Sequence, residues 1–350
     1  MKVAIIVYGS LTTLSGGYLY DRMLVSKLQL RGDDVHVISQ RDRGYAANLL
    51  ENFRANDFPD VDVLIQDELN HPSLFLANRR RPRPPIVSIV HHLRSSEHRA
   101  RWQNTAYAMI ERAYLRGVHG FIFNSDATRD TVMTLMRRDQ AHVVATPGGD
   151  RFGAATPEQT RARIARSTTL RLFSVGNVIP GKGLDVLLTA LDGLQSEQVA
   201  LDVVGSEQAA PAFAKRMRAK AASLSLPVTF HGALSDEELR LLLQGADVFV
   251  LPSYYEGFGI VYLEAMAQGV PAIGVRVGAV PMLIQDGSNG YLIGPGDAAT
   301  LAERLRGLAH DRELLMRMSL RALSAAAGFP TWDQSTDRMR DFLLSVAQGR

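Results

Sequence analysis

The sequence predicts an α/β fold: two doubly wound, Rossmann-like domains, each a parallel sheet with helices on both faces. Three observations predict it. Short apolar runs alternate with longer amphipathic stretches along the chain. The alternation breaks once, near Pro147-Gly148-Gly149-Asp150, and resumes at about Thr169. A length of 350 residues, 46% of them hydrophobic, is enough for two ordinary cores.

In the first half, residues 2–8, 34–39, 62–66, 86–91, 119–123 and 142–145 have the length and apolar content of buried strands. Helical periodicity lies between them, most clearly over 17–31, 98–116 and 125–137. A polar stretch rich in Ala, Arg and Thr follows to about Thr169 and is expected to be the linker. The second half repeats the alternation, with strands at 170–175, 199–204, 227–231, 247–251, 271–275 and 289–293. Its helices are expected at 182–194, 208–223, 235–245, 259–268, 297–309 and 311–326. The domains are therefore 1–155 and 169–330, and residues 331–350 form a terminal helix packing back on the first. Doubly wound sheets bind ligands at the carboxyl ends of their strands, so the two domains are expected to face a central cleft.

Composition excludes several classes. With no cysteine there is neither a disulfide scaffold nor a thiolate nucleophile. The run 2–8 is too short for a signal-peptide core or a membrane span, and no segment reaches eighteen consecutive apolar residues. The expected location is the cytoplasm, with peripheral contact at an anionic inner membrane surface as an option. That option rests on charge: residues 1–168 carry 23 Lys/Arg against 17 Asp/Glu, and residues 169–350 carry 16 against 19. The densest basic cluster, Arg79-Arg80-Arg81-Pro82-Arg83, has no interleaved aromatics, so nucleic acid is a poor partner.

The most informative segment is 253–271, in which Glu256-Gly257-Phe258-Gly259 precedes an apolar helical pattern that carries Glu264. Glu256 then sits in a strand-to-helix loop and Glu264 about two turns into the helix. Glycines let backbone approach a ligand, and a helix start offers unpaired N–H groups and positive potential. That combination suits an anionic leaving group, with carboxylates left to accept hydrogen bonds from sugar hydroxyls. A second signal is Gly181-Lys182-Gly183 after the strand ending near Gly176. A lysine at a glycine-flanked helix start suits a diphosphate, but the spacing is not that of a P-loop.

Together these segments resemble glycosyltransferase family four, retaining enzymes of the GT-B fold. The likeness also includes Ser15-Gly16-Gly17, Phe123-Asn124-Ser125, Phe230-His231-Gly232, Gly278, Asp286-Gly287 and Pro295-Gly296-Asp297. It implies roles. Glu264 would grip the nucleotide ribose and Glu256 the donor sugar. Gly257, Phe258, Gly259 and Ile260 would line the sugar and phosphates, and Gly181 and Lys182 the diphosphate. Gly16 and Gly17 would approach the diphosphate from the first domain. His91, at the end of the strand in Val90-His91-His92, takes the place of the family's active-site histidine. His91, Lys182 and Glu256 are thus the expected catalytic residues. Asp67, Glu68, His71, His92, Arg94 and Glu97 are the candidate acceptor contacts. Two departures stand out: Asn177 and Met282 occupy positions where many relatives have Arg and Glu. Arg276 or Arg94 would have to replace the missing cation.

The resemblance implies transfer of a sugar from a nucleotide diphosphate to an acceptor hydroxyl with its anomeric configuration kept. A UDP-sugar is the expected donor, GDP-mannose the alternative, and polysaccharide or glycoconjugate assembly the expected setting. No metal or other cofactor is expected, and Asp60 and Asp62 lie at the wrong end of their strand for a metal role. Competing readings are a glycolipid synthase at a membrane surface and a non-catalytic nucleotide-sugar binding protein. A dinucleotide enzyme is disfavoured, because residues 9–17 lack the Gly-x-Gly-x-x-Gly spacing.

Overall fold

Hydrophobic runs too short for helices became strands, and all of them are parallel. The structure is a computed structural model that describes the chain except residues 14, 54–57, 81–82, 98, 195–196 and 350. The chain divides into two compact units, Met1–Pro147 with Thr331–Arg350, and Gly148–Pro330.

The first unit is built on β1 (Lys2–Tyr8), β2 (Asp34–Gln40), β3 (Val63–Asp67), β4 (Ile86–Val90), β5 (Gly120–Phe123) and β6 (His142–Val144), in the order β2-β1-β3-β4-β5-β6. Its helices include α1 (Gly16–Leu30), α2 (Tyr45–Glu51), α3 (His71–Leu74), α4 (Arg101–Leu115) and α5 (Asp126–Met136). Strands β3, β4 and β5 are buried along their whole length. That is why they read as continuous apolar runs rather than alternating ones. Val3 pairs with Val35 on one side and Val63 on the other, so β2 and β3 flank β1. Strand order reverses at the β1–β3 boundary, which leaves the loops after these two strands on either side of a switch point.

The C-terminal helix, Trp332–Ala347, completes this unit. A capping box starts it, with Thr331 Oγ1 accepting from Gln334 N and the Gln334 side chain accepting from Thr331 N. Trp332 is 1% exposed and its ring meets Tyr20 of α1 edge-on at 5.8 Å. Arg340 donates to the buried Asp33 carboxylate at 2.6 and 3.1 Å.

The second unit repeats the plan. After α6 (Pro157–Ala165) come β7 (Leu170–Val175), β8 (Val199–Val204), β9 (Val228–Gly232), β10 (Val248–Leu251), β11 (Ala272–Val275) and β12 (Gly290–Ile293). The order is β12-β11-β10-β7-β8-β9, with the switch between β7 and β10. Helices α7 (Leu184–Asp192), α8 (Pro211–Ala222), α9 (Asp236–Gly245), α10 (Ile260–Ala267), α11 (Val280–Leu283), α12 (Ala298–His310) and α13 (Arg312–Ala326) complete the unit. The core gathers Leu172, Val250 and Ile273 from the sheet against Leu187, Leu305 and Met318 from helices.

The stretch expected as linker is structured. α6 begins with a Thr156–Gln159 capping box and Pro157 in its first turn, and it buries Thr160 and Ile164. Only two of its nine residues are buried, so the composition is polar although the segment is a packed helix of the second unit. Lys182 likewise ends a 3-10 turn, Pro180–Lys182, and α7 starts two residues later than expected.

Replacing Trp332 by Ala removes the largest buried side chain of the C-terminal helix. The expected outcome is a loss of about 3–5 kcal/mol in the stability of the first unit. Chemical denaturation followed by far-ultraviolet circular dichroism checks it, with the second unit's transition unmoved.

Candidate functional site

In the second unit, the switch between β7 and β10 decides which loops meet. The loop after β7 carries Lys182 and the loop after β10 carries Glu256. They join in an ion pair, with Lys182 Nζ donating to Glu256 Oε2 at 2.8 Å. Both side chains keep access to solvent, at 30% and 14% exposure, so the pair can be reached by a ligand. Gly183 makes the approach possible. Its φ is +69°, and a Cβ there would stand 2.0 Å from the Pro252 carbonyl oxygen. Gly259 does the same on the other side: φ is +85° and a Cβ would meet the Tyr262 ring at 2.5 Å. Gly259 is the N-cap of α10 and supplies no side-chain cap, so the helix start is left to other partners. Phe258 and Ile260 are buried beside it, while Gly181 is exposed and Gly257 half-buried. The structure thus brings Gly181, Lys182, Glu256, Gly257, Phe258, Gly259 and Ile260 to the carboxyl edge of this sheet.

Glu264 lies in the second turn of α10 and is 2% exposed. Arg151 holds it: Nη2 donates to Oε2 at 3.1 Å, and Nε lies 2.8 Å from Oε1 without hydrogen-bond alignment. Arg151 also donates to Asp236 at 3.2 Å and lies over the Phe152 ring. Burial raises the Glu264 carboxyl above its usual range, and the Arg151 charge opposes the shift. Arg151 was not among the expected site residues. It lies in the polar stretch after Pro147, where an arginine looks solvated until the fold shows what it faces.

In the first unit, Gly16 and Gly17 open α1 behind the Ser15 cap, whose Oγ accepts from Tyr18 N at 3.4 Å. His91 follows β4 and is buried against that helix start: a Cβ on Gly17 would lie 3.1 Å from His91 Cδ2. His91 Nε2 pairs with Asp21 Oδ1 at 3.0 Å. Burial lowers the His91 pKa, but the Asp21 carboxylate overrides it and the net effect is a rise to about 9. Asp67, at the end of β3, is pushed up to about 7 by burial and by the Asp21 charge, against the pull of His91. Asp21 was also missed: it sits mid-helix in a polar-looking position, and only the turn of α1 over the switch point buries it.

The candidate acceptor residues separate into two groups. Asp67, Glu68 and His71 are each 1% exposed. His71 Nδ1 lies 3.0 Å from the Glu68 carboxylate, and its Nε2 3.0 Å from Tyr45 Oη. Being buried, these three contribute internal polar contacts rather than an open surface. His92, Arg94 and Glu97 are half-buried and retain solvent access. Glu97 accepts from Arg99 at 2.6 Å and lies 3.5 Å from His92 Nε2, while Arg94 stacks on Tyr45 and Tyr107. His98 of the same segment lies outside the described residues.

Two buried groups bring three metal-ligand atoms within 4.8 Å of one another: Asp21, Asp67 and His91, and Glu68, His71 and Glu111. In the first, His91 Nε2 is hydrogen-bonded to Asp21; in the second, His71 Nδ1 is bonded to the Glu68 backbone carbonyl, and both Glu68 carboxylate oxygens lack a hydrogen-bond partner among the described residues. Of the basic cluster, Arg80 donates to the Asn52 carbonyl and Arg83 to the Gly117 carbonyl, both at 2.7 Å. Arg81 and Pro82 lie outside the described residues. Arg276, a candidate for the cation missing at Asn177, pairs instead with Asp286 at 3.2 Å. Among the described residues, no helix is long and apolar enough to cross a membrane.

Residues 156–324 match the family profile of glycosyl transferases group 1. The chain is 31% identical over 179 residues to the sulfoquinovosyl transferase SQD2 of Arabidopsis thaliana, covering 50% of this chain and 33% of that one. It is 30% identical over 243 residues to the D-inositol 3-phosphate glycosyltransferase of Streptomyces avermitilis, covering 65% and 52%. The chain therefore spans a third to about half the length of these curated relatives. Two solved structures share the fold over nearly the whole chain. Sucrose-phosphate synthase from Thermosynechococcus elongatus superposes with a TM-score of 0.84 at 19% identity, covering 100% of both chains. Anabaena HepE, solved with UDP-glucose, gives 0.76 at 19% identity over 99% of this chain and 100% of that one. The fold expected from the sequence, GT-B, is the fold observed.

Two outcomes follow from the buried charges. Arg151→Met strands the Glu264 carboxylate and should destabilise the second unit by about 3–5 kcal/mol. Adding Glu264→Leu to that variant should restore most of the loss, as a double-mutant cycle in urea would read. In the first unit, Asp67 and His91 hold their protons more tightly folded than unfolded. The stability they supply is complete in acid. Asp67's share is lost as pH rises from about 3.8 through 7, and His91's from about 6.5 through 9. The denaturation midpoint of the first unit should fall between pH 6.5 and 9, and His91→Gln should flatten that fall.

Proposed function

We propose that the chain, whose residues 156–324 form a group 1 glycosyltransferase domain, transfers a sugar from a nucleotide diphosphate donor to an acceptor hydroxyl with retention of configuration. The observation that carries this reading is the Lys182–Glu256 pair at the β7–β10 switch point, beside the uncapped start of α10. A cation next to free backbone amides suits a departing diphosphate, and a carboxylate paired to that cation suits the hydroxyls of the sugar it carries.

In this mechanism the glycosidic bond to the diphosphate breaks as negative charge builds on the leaving oxygen. Lys182 leaves Glu256 partly free as it turns to that charge, and the amides after Gly259 add to it. Glu256 then accepts hydrogen bonds from the donor sugar. Glu264 takes the ribose hydroxyls, which requires it to share its carboxylate between them and Arg151. In the first unit, Gly16 and Gly17 offer amides to the diphosphate, and His91 contacts the donor sugar. The acceptor meets His92, Arg94 and Glu97, the accessible members of its candidate set. Attack comes from the face the leaving group departs, and the leaving phosphate oxygen takes the acceptor's proton. No protein nucleophile and no metal enters these steps.

A UDP-sugar is the preferred donor; HepE, a structural neighbour, was solved with UDP-glucose. The setting is assembly of a polysaccharide or glycoconjugate. A membrane-surface glycolipid synthase is the alternative: Arg80 and Arg83 each donate to a backbone carbonyl but keep their charge, and Arg79 and Arg80 are exposed.

Thermal unfolding with UDP-glucose, UDP-N-acetylglucosamine, GDP-mannose and NAD tests the reading, since a ligand that binds only the folded protein raises the melting temperature. One nucleotide sugar should raise it and NAD should not. Lys182→Ala and Glu264→Gln should each weaken that response at least tenfold in ligand concentration. With the responding donor, Lys182→Ala should cost about 10²–10³ in kcat. Silence from every nucleotide sugar, or a response indifferent to both substitutions, would overturn the assignment.

A further inference from the structure

One face of α1 encloses the His91 ring. Gly17, Tyr20 and Asp21 stand at i, i+3 and i+4, so they line up on one side of the helix. Gly17 presses on the Cδ2 edge. The Tyr20 ring meets the imidazole edge-on, with centroids 5.3 Å apart and planes at 85°. Tyr20 is itself fixed, its Oη donating to the Ala145 carbonyl at 2.6 Å and its ring lying against Trp332. Asp21 closes the enclosure through its 3.0 Å contact with Nε2.

Asp21 is fully buried, and its Oδ2 has no hydrogen-bond partner among the described residues. Asp67 Oδ2 is in the same condition, and the Asp67 carboxylate falls within the same 4.8 Å group. Two buried carboxylates so close must share positive charge or a proton. The group that faces both is His91. Its Nδ1 has no hydrogen-bond partner among the described residues, and its backbone carbonyl accepts from Asn124 at 3.0 Å.

We propose that Asp21 is a positioning residue that holds His91 as an imidazolium, with the Nε2 proton committed to Asp21 and the Nδ1 proton left to donate to a substrate oxygen. This rests on the glycosyltransferase reading for its use, although its central test does not need turnover. Asp21 from α1, Asp67 from β3 and Glu68 just beyond it are the charges that face His91, and together they outweigh the effect of burial. A histidine kept protonated in this way does not serve as a general base. It supplies a fixed cation and a hydrogen bond, which stabilise negative charge as it develops on an oxygen. The acceptor's proton then leaves by another route, in keeping with its passage to the leaving phosphate.

Side-chain NMR of ¹⁵N-histidine-labelled full-length protein, titrated from pH 5 to 10, tests the proposal, with His91→Gln identifying the signal. In the wild type His91 should remain charged through neutral pH and titrate at about 9. Asp21→Asn should lower that midpoint by more than one unit, about a tenfold change in the protonation equilibrium. If Asp21→Asn does not fold, Asp67→Asn, which removes a charge without breaking the 3.0 Å contact, should lower it by less but measurably. A wild-type His91 that is neutral at pH 7, or a midpoint that neither variant moves, overturns the proposal. Release of UDP from UDP-glucose adds the functional readout. Asp21→Asn should reduce kcat with KM retained, and its rate should fall above neutral pH where the wild-type rate does not. An Asp21→Asn rate profile matching the wild type also overturns it. If the wild type releases no UDP, the donor assignment fails, while the NMR titration still decides the role of Asp21.

Discussion

Parallel strands put all their carboxyl ends along one edge of a sheet, and each chain crossing then covers a face with a helix. Where strand order reverses, the two loops that flank the reversal run to opposite faces and leave an opening that no crossover fills. In the second unit that opening lies between β7 and β10, and it is lined by Lys182 from one loop and Glu256 from the other. Neither residue would find the other without the reversal, for they are 74 positions apart in the chain. The glycines at 183 and 259 follow from the same constraint, because backbone has to pass where a side chain would collide with Pro252 or Tyr262.

The first unit meets the constraint with charge as well as glycine. Its reversal lies between β1 and β3, and α1 crosses the opening with Asp21 turned inward toward Asp67 and His91. Buried carboxylates are tolerated only when something neutralises them. Here an imidazole does so, at the end of the next strand, β4. The second unit has a smaller version of the arrangement, in which Arg151 neutralises Glu264 inside α10. In both units, then, a buried carboxylate at the carboxyl edge of the sheet is held by one named partner.

The strands were readable in the sequence because the central ones are buried on both faces, so their apolar runs are unbroken. Helices with Ser or Thr caps, such as α5 and α9, began where those side chains stood. α6 was missed because it buries only Thr160 and Ile164 and otherwise has the polar composition of a linker. Lys182, Glu256 and Glu264 stood out through the pattern around them, glycines beside charge at a strand end. Arg151 and Asp21 had no such pattern. Each looks like an ordinary solvated charge in sequence, and each is defined by a contact to a residue 113 or 70 positions away. Asp67, Glu68 and His71 were named as candidate acceptor contacts from their place after a strand, and their burial at 1% exposure could not be read from the sequence.

The first unit is discontinuous in the chain, with the second inserted between Pro147 and Thr331. Trp332, which supports Tyr20 behind His91, follows the whole of the inserted unit in the chain. On the ribosome the inserted unit has its full complement of strands and helices before the earlier one has its closing helix. The N-terminal sheet must therefore wait, with the Trp332 socket beside Tyr20 unfilled, until the inserted unit has been made. Loss of the whole helix Trp332–Ala347 would then leave the histidine pocket, more than two hundred residues upstream in order of synthesis, without its back wall.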